Sequence, residues 1–209
     1  MNRLAYNRIA AVWDGARQSF CGREQVYLDT LLADLSPPAA VLDLGCGSGR
    51  PLAQYVLGRG HRLTGVDQAA AMLAYARQRL PQGEWIEARI EDYRTPARYA
   101  AILCWDVLFH IERCRHASLL ERMAGWLQPG GRLMLTVGGS EHPAFTDTMF
   151  GERFFYDSHP PQRVLELLDA SGFEPLIAEF MNRPTSGRDK GRFAIVARRR
   201  AAMAAVSTE

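Results

Sequence analysis

The sequence has few of the features that mark disulfide-rich, metal-binding or membrane proteins. Its four cysteines form no Cys-x-x-Cys pair and share no ligand spacing with histidine, so we expect neither a disulfide framework nor a metal site. No run approaches the roughly 18 consecutive apolar residues that a membrane span requires. The first residues also lack the unbroken apolar stretch of a secretory signal. We therefore expect a cytoplasmic protein without a membrane partner.

An excess of charge of one sign is missing too. The formal net charge is +2, which gives no reason to expect a nucleic-acid partner. Of the 25 basic residues 24 are arginine, which we interpret as compositional bias rather than chemistry. With 209 residues, 47% of them apolar and 23% charged, the chain has the size and composition of a single globular domain.

From residue 40 onward, short apolar runs alternate with longer helical patterns, and this alternation predicts an α/β fold whose mostly parallel sheet has helices on both faces. The predicted strands are 40–44, 61–66, 85–87, 99–105, 132–137, 173–180 and 192–197, and the predicted helices are 51–58, 68–80, 115–127 and 160–170. Residues 182–191 are too few for a crossover helix. The last two strands are therefore expected to be antiparallel.

The first part of the chain has a different pattern. Residues 1–36 show helical spacing without strand signals, and Ser36-Pro37-Pro38 ends this segment. We therefore divide the chain into a helical segment 1–36, a main domain 37–198 and a tail 199–209. Two placements of the helical segment are open: a lid over a ligand, or a helical pair packed on the sheet edge.

The most informative stretch is the glycine-rich turn after the first strand, Gly45-Cys46-Gly47-Ser48-Gly49. Glycine lets the backbone approach a ligand closely. The dinucleotide fingerprint has its third glycine where Arg50 stands here, and no P-loop Lys-Ser/Thr follows. Asp43, at the strand end, would repel a pyrophosphate and favours a ligand with positive charge.

A second acidic residue ends the next strand. Asp67 lies 18 residues after Gly49, at a position where a carboxylate accepts hydrogen bonds from both ribose hydroxyls. The alternative role for an aspartate at this place is a helix cap. After this glycine turn we favour ribose binding, and a nucleoside with a cationic extension indicates S-adenosylmethionine.

With these motifs, residues 38–198 resemble the class I S-adenosylmethionine-dependent methyltransferases, in particular small bacterial members with the generic methyltransferase domain. The segments VLDLGCGSG and GVD carry the resemblance. It implies a Rossmann-like seven-stranded, mostly parallel sheet with helices on both faces and an antiparallel last strand pair. It also implies S-adenosylmethionine as cofactor and S-adenosylhomocysteine as product.

The resemblance assigns the cofactor residues. It implies that Asp43 and the turn residues Gly45, Cys46, Gly47 and Gly49 lie along the methionine part, that Asp67 holds the ribose, and that Gln68 lies beside ribose and adenine. Asp92 best matches the family's acidic residue near the adenine, with Ile90 or Glu91 adjacent, although a solvated acidic turn is the other interpretation. Trp105 either covers the cofactor or belongs to the core.

Methyl transfer is an in-line displacement, which needs alignment of the acceptor with the methyl group. A general base matters only if the acceptor must lose a proton. His110 is the best candidate for a base or substrate contact because its reference pKa is near 6.5. Asp106 is the second candidate. The alternative roles are a packing histidine and an aspartate that caps the turn.

The acceptor site is expected at the additions to the fold. Candidate contacts are Tyr6 and Trp13 in the helical segment, and His142 and Tyr156 in the aromatic-rich stretch 138–159. Because no large insertion and no broad basic face is present, we expect a small-molecule acceptor, methylated on oxygen or nitrogen, and a monomer or homodimer. The alternatives are a cofactor-binding protein without turnover and, more weakly, an NAD-dependent oxidoreductase, which Asp43 and Arg50 disfavour.

Overall fold

The computed structural model describes residues 2–186 and 189–201. Residue 1 of the predicted helical segment and residues 202–209 of the predicted tail lie outside the described residues. Six α-helices flank the strands: α1 (Arg3–Ala16), α2 (Glu24–Leu32), α3 (Leu52–Gly58), α4 (Ala70–Arg79), α5 (His116–Trp126) and α6 (Pro161–Ala170). The strands are β1 (Ala40–Leu44), β2 (Arg62–Asp67), β3 (Glu84–Glu87), β4 (Tyr99–Cys104), β5 (Leu127–Gly138), β6 (Phe145–Met149), β7 (Glu152–Tyr156), β8 (Phe173–Asn182) and β9 (Arg192–Arg199).

Seven of these strands form one sheet in the order β3-β2-β1-β4-β5-β9-β8. The first five are parallel to one another, whereas β9 is antiparallel to both of its neighbours. The predicted fold class, with an antiparallel last strand pair, is therefore confirmed. The strand order reverses between β1 and β4, which is where ligands bind in open α/β sheets.

Alternating side chains of the central strands enter two different cores. In β1, Val41 packs with residues of α2 and α3 on one face, whereas Leu42 and Leu44 pack with residues of α5 on the other. All three side chains are fully buried. A strand that is apolar on both faces needs cover on both, which explains the near-continuous apolar run of the sequence.

The helical segment covers the carboxyl end of the sheet. Helix α1 packs against α4 and β7 through a small separate core that contains Ile9, Met72 and Phe154. Helix α2 packs against the sheet face at β5 and β9. Helix α2 therefore lies on the sheet and α1 beside α4 and the hairpin, and a lid function for α1 stays a prediction.

Two strands were not predicted from the sequence. Strands β6 and β7 form a separate antiparallel hairpin within stretch 138–159, and its turn uses Phe150 and Gly151, both with positive φ. A hairpin turn of this kind usually contains Asn-Gly or Asp-Gly. Because phenylalanine stands at the first position here, the sequence did not indicate the hairpin. Strand β5 also begins at Leu127, five residues earlier than predicted, with an irregular ladder through Gly130 and Gly131.

Within residues 2–186 and 189–201, every helix is too short or too polar to cross a bilayer.

Candidate active site

The glycine turn lies at the carboxyl end of β1 and is held open by glycine geometry. Gly45, Gly47 and Gly49 all have positive φ, a conformation that other residues adopt at a cost. A Cβ at Gly45 would lie 2.2 Å from the Val107 side chain. The turn therefore needs glycine for both its backbone conformation and its packing.

Asp67 ties this turn to the start of α4. One carboxylate oxygen accepts the N–H of Gly47 at 2.9 Å, and the other accepts the N–H of Ala69 at 2.8 Å. Burial raises the pKa of Asp67, and these backbone donors oppose the shift. The carboxylate is thus fixed in orientation, and each oxygen retains a lone pair for a further donor.

The glycine turn and the Asp67 carboxylate form part of the wall of a first cavity, which opens partly to solvent. Most of the predicted cofactor residues line it. They are Asp43, Gly45, Cys46, Gly47, Asp67, Gln68, Glu91 and Trp105. Gly49 belongs to the turn, but the place that a Cβ of this residue would occupy lies against the side chains of Leu80 and Trp85.

The acidic residue near the predicted adenine position differs from the expected one. Glu91 and Ile90 line the first cavity. Asp92 is exposed and forms an ion pair with Arg89 at 3.6 Å. The structure therefore brings Glu91, not Asp92, to the cavity, because the turn after β3 leaves the Asp92 side chain in solvent.

The first cavity has an acidic floor. Asp43 is 3% exposed, and burial, with repulsion from Asp67, raises the pKa of its carboxyl to about 7. Burial alone would raise the pKa of Glu91, but the ion pair with Arg89 outweighs burial and holds the pKa of that carboxyl below the usual value. With Asp67 and Asp106, four carboxylate residues line this cavity against two arginines, and this excess of acidic groups favours a ligand that carries positive charge.

Helix α1 closes the cavity from above. Tyr6 and Trp13 line it, and the Trp13 ring lies over the turn at Gly47. The helix is clamped to the main domain by Asp14, whose two oxygens accept from Arg79 at 2.7 and 2.9 Å. Because Arg79 also donates to the carbonyl of Ser48 at 3.0 Å, lid and glycine turn are joined directly.

A buried glutamate anchors the end of this lid. Glu24 is fully buried and accepts from Arg17 at 3.0 and 3.1 Å, from the N–H of Cys21 at 2.9 Å and from the Trp105 indole at 2.9 Å. Arg17 lines the first cavity. Trp105 therefore belongs to a buried apolar cluster and also lines the first cavity, so the two interpretations of this residue do not exclude each other.

His110 and Tyr6 share a hydrogen bond at the boundary of the cavity. The Tyr6 hydroxyl lies 3.0 Å from Nε2 of His110, and Nδ1 lies 2.9 Å from the Phe155 carbonyl and 2.8 Å from the Asn2 amide nitrogen. Asn2 in turn exchanges two hydrogen bonds with the backbone of Phe155. Both ring nitrogens are occupied, and burial lowers the pKa of His110 to about 4.

Asp106 is held by partners from two other strands. It has a positive φ of 54°, its N–H donates to the Thr136 hydroxyl at 2.7 Å, and Arg192 donates to its carboxylate at 2.7 Å. Burial raises the pKa of Asp106, and the guanidinium groups of Arg192 and Arg17 oppose this. The arrangement suits a positioning group more than a free base.

Beside the first cavity lies a second cavity, which is more open to solvent. Tyr6, Trp13, Asp106 and His110 line both cavities and form the boundary between them. The other predicted acceptor residues, His142 and Tyr156, line the second cavity. All of the predicted catalytic and acceptor residues therefore lie at this boundary or in the second cavity.

Sequence reasoning missed Lys190 and Arg192, which line the second cavity, and Asn2 and Glu24, which hydrogen-bond to the cavity-lining residues His110 and Trp105. Asn2 and Glu24 act through tertiary contacts with residues far along the chain, which no local pattern signals. Lys190 is the only lysine of the sequence, and that rarity was an available signal. Within residues 2–186 and 189–201, no group of three metal-ligating side chains could hold a metal ion.

Comparison with known proteins is consistent with this geometry. Residues 41–131 match the family model of a methyltransferase domain. Trans-aconitate 2-methyltransferase of Azoarcus sp. (strain BH72) is 38% identical over 104 residues, which span 49% of this chain and 40% of that protein. Ubiquinone biosynthesis O-methyltransferase of Aeromonas salmonicida (strain A449) is 29% identical over 126 residues, 57% of this chain and 52% of that protein. The chain thus spans about half or less of the curated relatives' length.

A solved structure matches nearly the whole chain. The 1,6-didemethyltoxoflavin-N1-methyltransferase of Burkholderia thailandensis, crystallised with 1,6-didemethyltoxoflavin and S-adenosylhomocysteine, superimposes with a TM-score of 0.69. It is 25% identical, and the match covers 94% of this chain and 84% of that one. The similarity therefore extends well beyond residues 41–131, which the family model matches.

Proposed function

The chain contains a class I S-adenosylmethionine-dependent methyltransferase domain, and from this premise we propose that it transfers a methyl group from S-adenosylmethionine to a small-molecule acceptor. The observation that carries the proposal is the first cavity, where four carboxylates and a glycine turn suit a nucleoside with a cationic extension. The second cavity shares its boundary with the first and has room for an acceptor.

The cofactor roles follow from this arrangement. Asp43 and the turn Gly45–Gly49 would hold the methionine part. Asp67 would accept the ribose hydroxyls, and Gln68 and Glu91 would lie beside ribose and adenine. When bound, the cofactor supplies a methyl group on a positively charged sulfur, which needs no metal ion.

At the boundary, Tyr6 and His110 would act as one unit that orients the acceptor. Because His110 already contacts Asn2, Phe155 and Tyr6, its effect on the acceptor passes through the Tyr6 hydroxyl. Asp106 would hold Arg192 at the second cavity. We further propose a cytoplasmic monomer or homodimer without nucleic-acid or membrane partners; the net charge of +2 supports the absence of nucleic acid.

Calorimetric titration with S-adenosylhomocysteine, with NADH as control, tests the cofactor assignment. We expect micromolar binding of S-adenosylhomocysteine alone. Binding of NADH alone would instead support an oxidoreductase. Binding of S-adenosylhomocysteine without turnover of S-adenosylmethionine on any acceptor would support a binding protein without catalysis.

The pH dependence of cofactor binding follows from Asp43. A cationic ligand binds better to its deprotonated form, and the pKa of Asp43 in the free protein is raised to about 7. Affinity for S-adenosylmethionine is therefore expected to rise ~8-fold between pH 6 and pH 7.5, with proton release on binding at the lower pH. Calorimetry in two buffers of different ionisation enthalpy measures both quantities. Asp43→Asn should bind more weakly, with little change over this range; an unchanged slope in that variant would refute the assignment.

Removing the Tyr6 hydroxyl tests the unit at the boundary. Tyr6→Phe and His110→Ala are each expected to lower turnover about 10- to 100-fold because acceptor alignment is lost. The affinity for S-adenosylhomocysteine should change less than threefold. Since the two side chains act together, the double variant should lose little more than either single variant. Multiplicative losses in the double variant would show that they act independently.

A further inference from the structure

The hairpin of β6 and β7 supplies much of the wall of the second cavity. His142 lies just before β6 and Tyr156 ends β7, and both line this cavity together with Phe145. The proposed function assigns the second cavity to the methyl acceptor, and the inference rests on that function. Whatever holds the hairpin in place then also determines how the acceptor binds.

The hairpin needs anchors outside itself. Its two strands form a sheet of their own, and an isolated two-stranded hairpin is marginally stable at best. On the side of β7 such anchors are present: the Phe154 side chain is fully buried, and the backbone of Phe155 exchanges two hydrogen bonds with the side-chain amide of Asn2. The N–H of Asp157, the residue after β7, donates to the Phe109 carbonyl at 2.8 Å. The end of the hairpin that follows β7 is therefore fixed.

The chain that leads into β6 has fewer anchors. Within the described ranges 2–186 and 189–201, residues 141–144 form a single hydrogen bond to another part of the protein, in which the guanidinium of Arg113 donates to the His142 carbonyl. His142 otherwise contacts its neighbour, with Nδ1 2.9 Å from the Pro143 carbonyl. The position of the cavity wall on this side of the hairpin thus depends on Arg113.

Arg113 joins this end of the hairpin to the other end. It begins the 3₁₀ helix Arg113–Arg115. Its backbone N–H donates to one carboxylate oxygen of Asp157 at 2.8 Å, and its Nε donates to the other oxygen. A terminal nitrogen of the same guanidinium is the donor to His142. Because a guanidinium presents several donors in one rigid plane, a single side chain holds the carboxylate and the carbonyl together.

The ion pair is largely shielded from solvent. The side chains of Arg113 and Asp157 are 26% and 9% exposed. Burial alone would raise the pKa of Asp157, but the N–H and the guanidinium of Arg113 outweigh burial and lower that pKa. Asp157 therefore stays charged at neutral pH and keeps the guanidinium in place. Neither residue is among those that line the two cavities, so an effect of this pair on the acceptor has to pass through the wall.

The wall consists of rings in mutual contact. Phe145 and Tyr156 are stacked with their ring centroids 5.2 Å apart and their planes at 15°, and His142 meets Phe145 edge-on at 5.0 Å. Phe145 and Tyr156 are also opposite each other in the β6–β7 ladder. Because the rings come from both sides of the hairpin, a change in the separation of its two ends alters their spacing, and with it the surface that the acceptor meets.

From these observations we propose that Arg113 is a positioning residue for the methyl acceptor. By holding Asp157 and the His142 carbonyl with one guanidinium, it fixes the spacing of the aromatic wall and thereby the alignment of the acceptor with the methyl group. An in-line displacement depends on such alignment, so a residue outside both cavities influences the transfer.

Arg113→Lys tests the hold on the hairpin. The variant keeps a positive charge beside Asp157, whereas one ammonium group cannot replace the rigid fork that also reaches His142. In the ligand-free variant, the amides of β6 should exchange with deuterium about 10-fold faster than in the unmodified protein, and the amides of β1 should change much less. Arg115→Lys is the matched control, because it is the same substitution in the same 3₁₀ helix and its ion pair with Glu112 is exposed. Unchanged exchange of β6 in Arg113→Lys overturns the proposal.

Turnover separates positioning of the acceptor from mere support of the hairpin. With methyl-labelled S-adenosylmethionine and a panel of phenols and aromatic amines, Arg113→Lys is expected to lower kcat/KM about 10- to 100-fold, chiefly through KM. The Kd for S-adenosylhomocysteine should stay unchanged, and the melting temperature should fall by no more than roughly 2–4 °C. Faster exchange of β6 with unchanged kcat/KM overturns the proposal. A joint loss of kcat/KM, cofactor affinity and melting temperature would indicate a general structural role and overturns it as well.

The titration with S-adenosylhomocysteine separates this inference from the proposed function. If S-adenosylhomocysteine binds and Arg113→Lys changes neither exchange nor kcat/KM, the role of Arg113 fails and the proposed function stands. If S-adenosylhomocysteine binds but the unmodified protein methylates no member of the panel, the aromatic wall fails as an acceptor contact, and the proposal on Arg113 fails with it. If S-adenosylhomocysteine does not bind, the proposed function itself fails.

Discussion

Asp67→Ala is expected to weaken S-adenosylhomocysteine binding about 10- to 100-fold or more. A carboxylate that accepts both ribose hydroxyls contributes on the order of 1.5–3 kcal/mol, which corresponds to a factor in this range. The substitution also frees the N–H groups of Gly47 and Ala69. The glycine turn then loses its tie to α4, so the loss of affinity should exceed that of the ribose contact alone. Calorimetry on the purified variant measures it.

The stability of the ligand-free protein should respond less than the affinity. Asp67 is a buried carboxylate whose pKa burial raises, so its removal also relieves an unfavourable charge. Removing Asp67 should also lower the pKa of Asp43, because repulsion from Asp67 raises that pKa in the wild type. Asp67→Asn is the matched control, because it keeps one acceptor oxygen for the backbone and should bind with intermediate affinity. A Kd within threefold of the wild type for Asp67→Ala would exclude the ribose assignment.

The fold and most of the lining of the first cavity were predictable because they depend on local signals. The run 40–44 had to be buried on both faces, and the turn Gly45–Gly49 required positive φ at alternate positions. Asp67 is the last residue of β2, and because β1 and β2 are parallel it lies at the same sheet edge as the glycine turn. Such features depend on neighbouring residues, and the sequence displays them directly.

The second cavity and its boundary with the first were harder to predict, because the residues that line them come together only in the folded chain. His110 and Tyr6 are separated by 104 residues, and Trp105 and Glu24 by 81. The hairpin that supplies Tyr156 turns on a phenylalanine with φ of 49°, against the ordinary turn chemistry. The side of the turn after β3 that faces the cavity, Glu91 rather than Asp92, likewise depends on backbone direction that spacing does not give.

Glu24→Ala is expected to destabilise the protein by about 3–5 kcal/mol, the range for breaking a buried ion pair by removing one partner. The guanidinium of Arg17, 13% exposed, loses its counter-charge, and the Trp105 indole and the Cys21 N–H lose their acceptor. For a domain of this size the melting temperature should fall by roughly 6–20 °C. Thermal denaturation measures the change.

The exposed pair Arg163–Glu166, with a 2.8 Å separation and side chains 53% and 50% exposed, provides a matched control. Glu166→Ala should cost at most about 1 kcal/mol. Because Glu24 joins the end of the lid to β4 through Trp105, its loss should also weaken S-adenosylhomocysteine binding, an effect that Glu166→Ala does not share. Equal melting temperatures for the two variants would contradict the expected role of Glu24 and would leave the ion pairs Asp14–Arg79 and Arg8–Glu152 as the ionic links between α1 and the main domain.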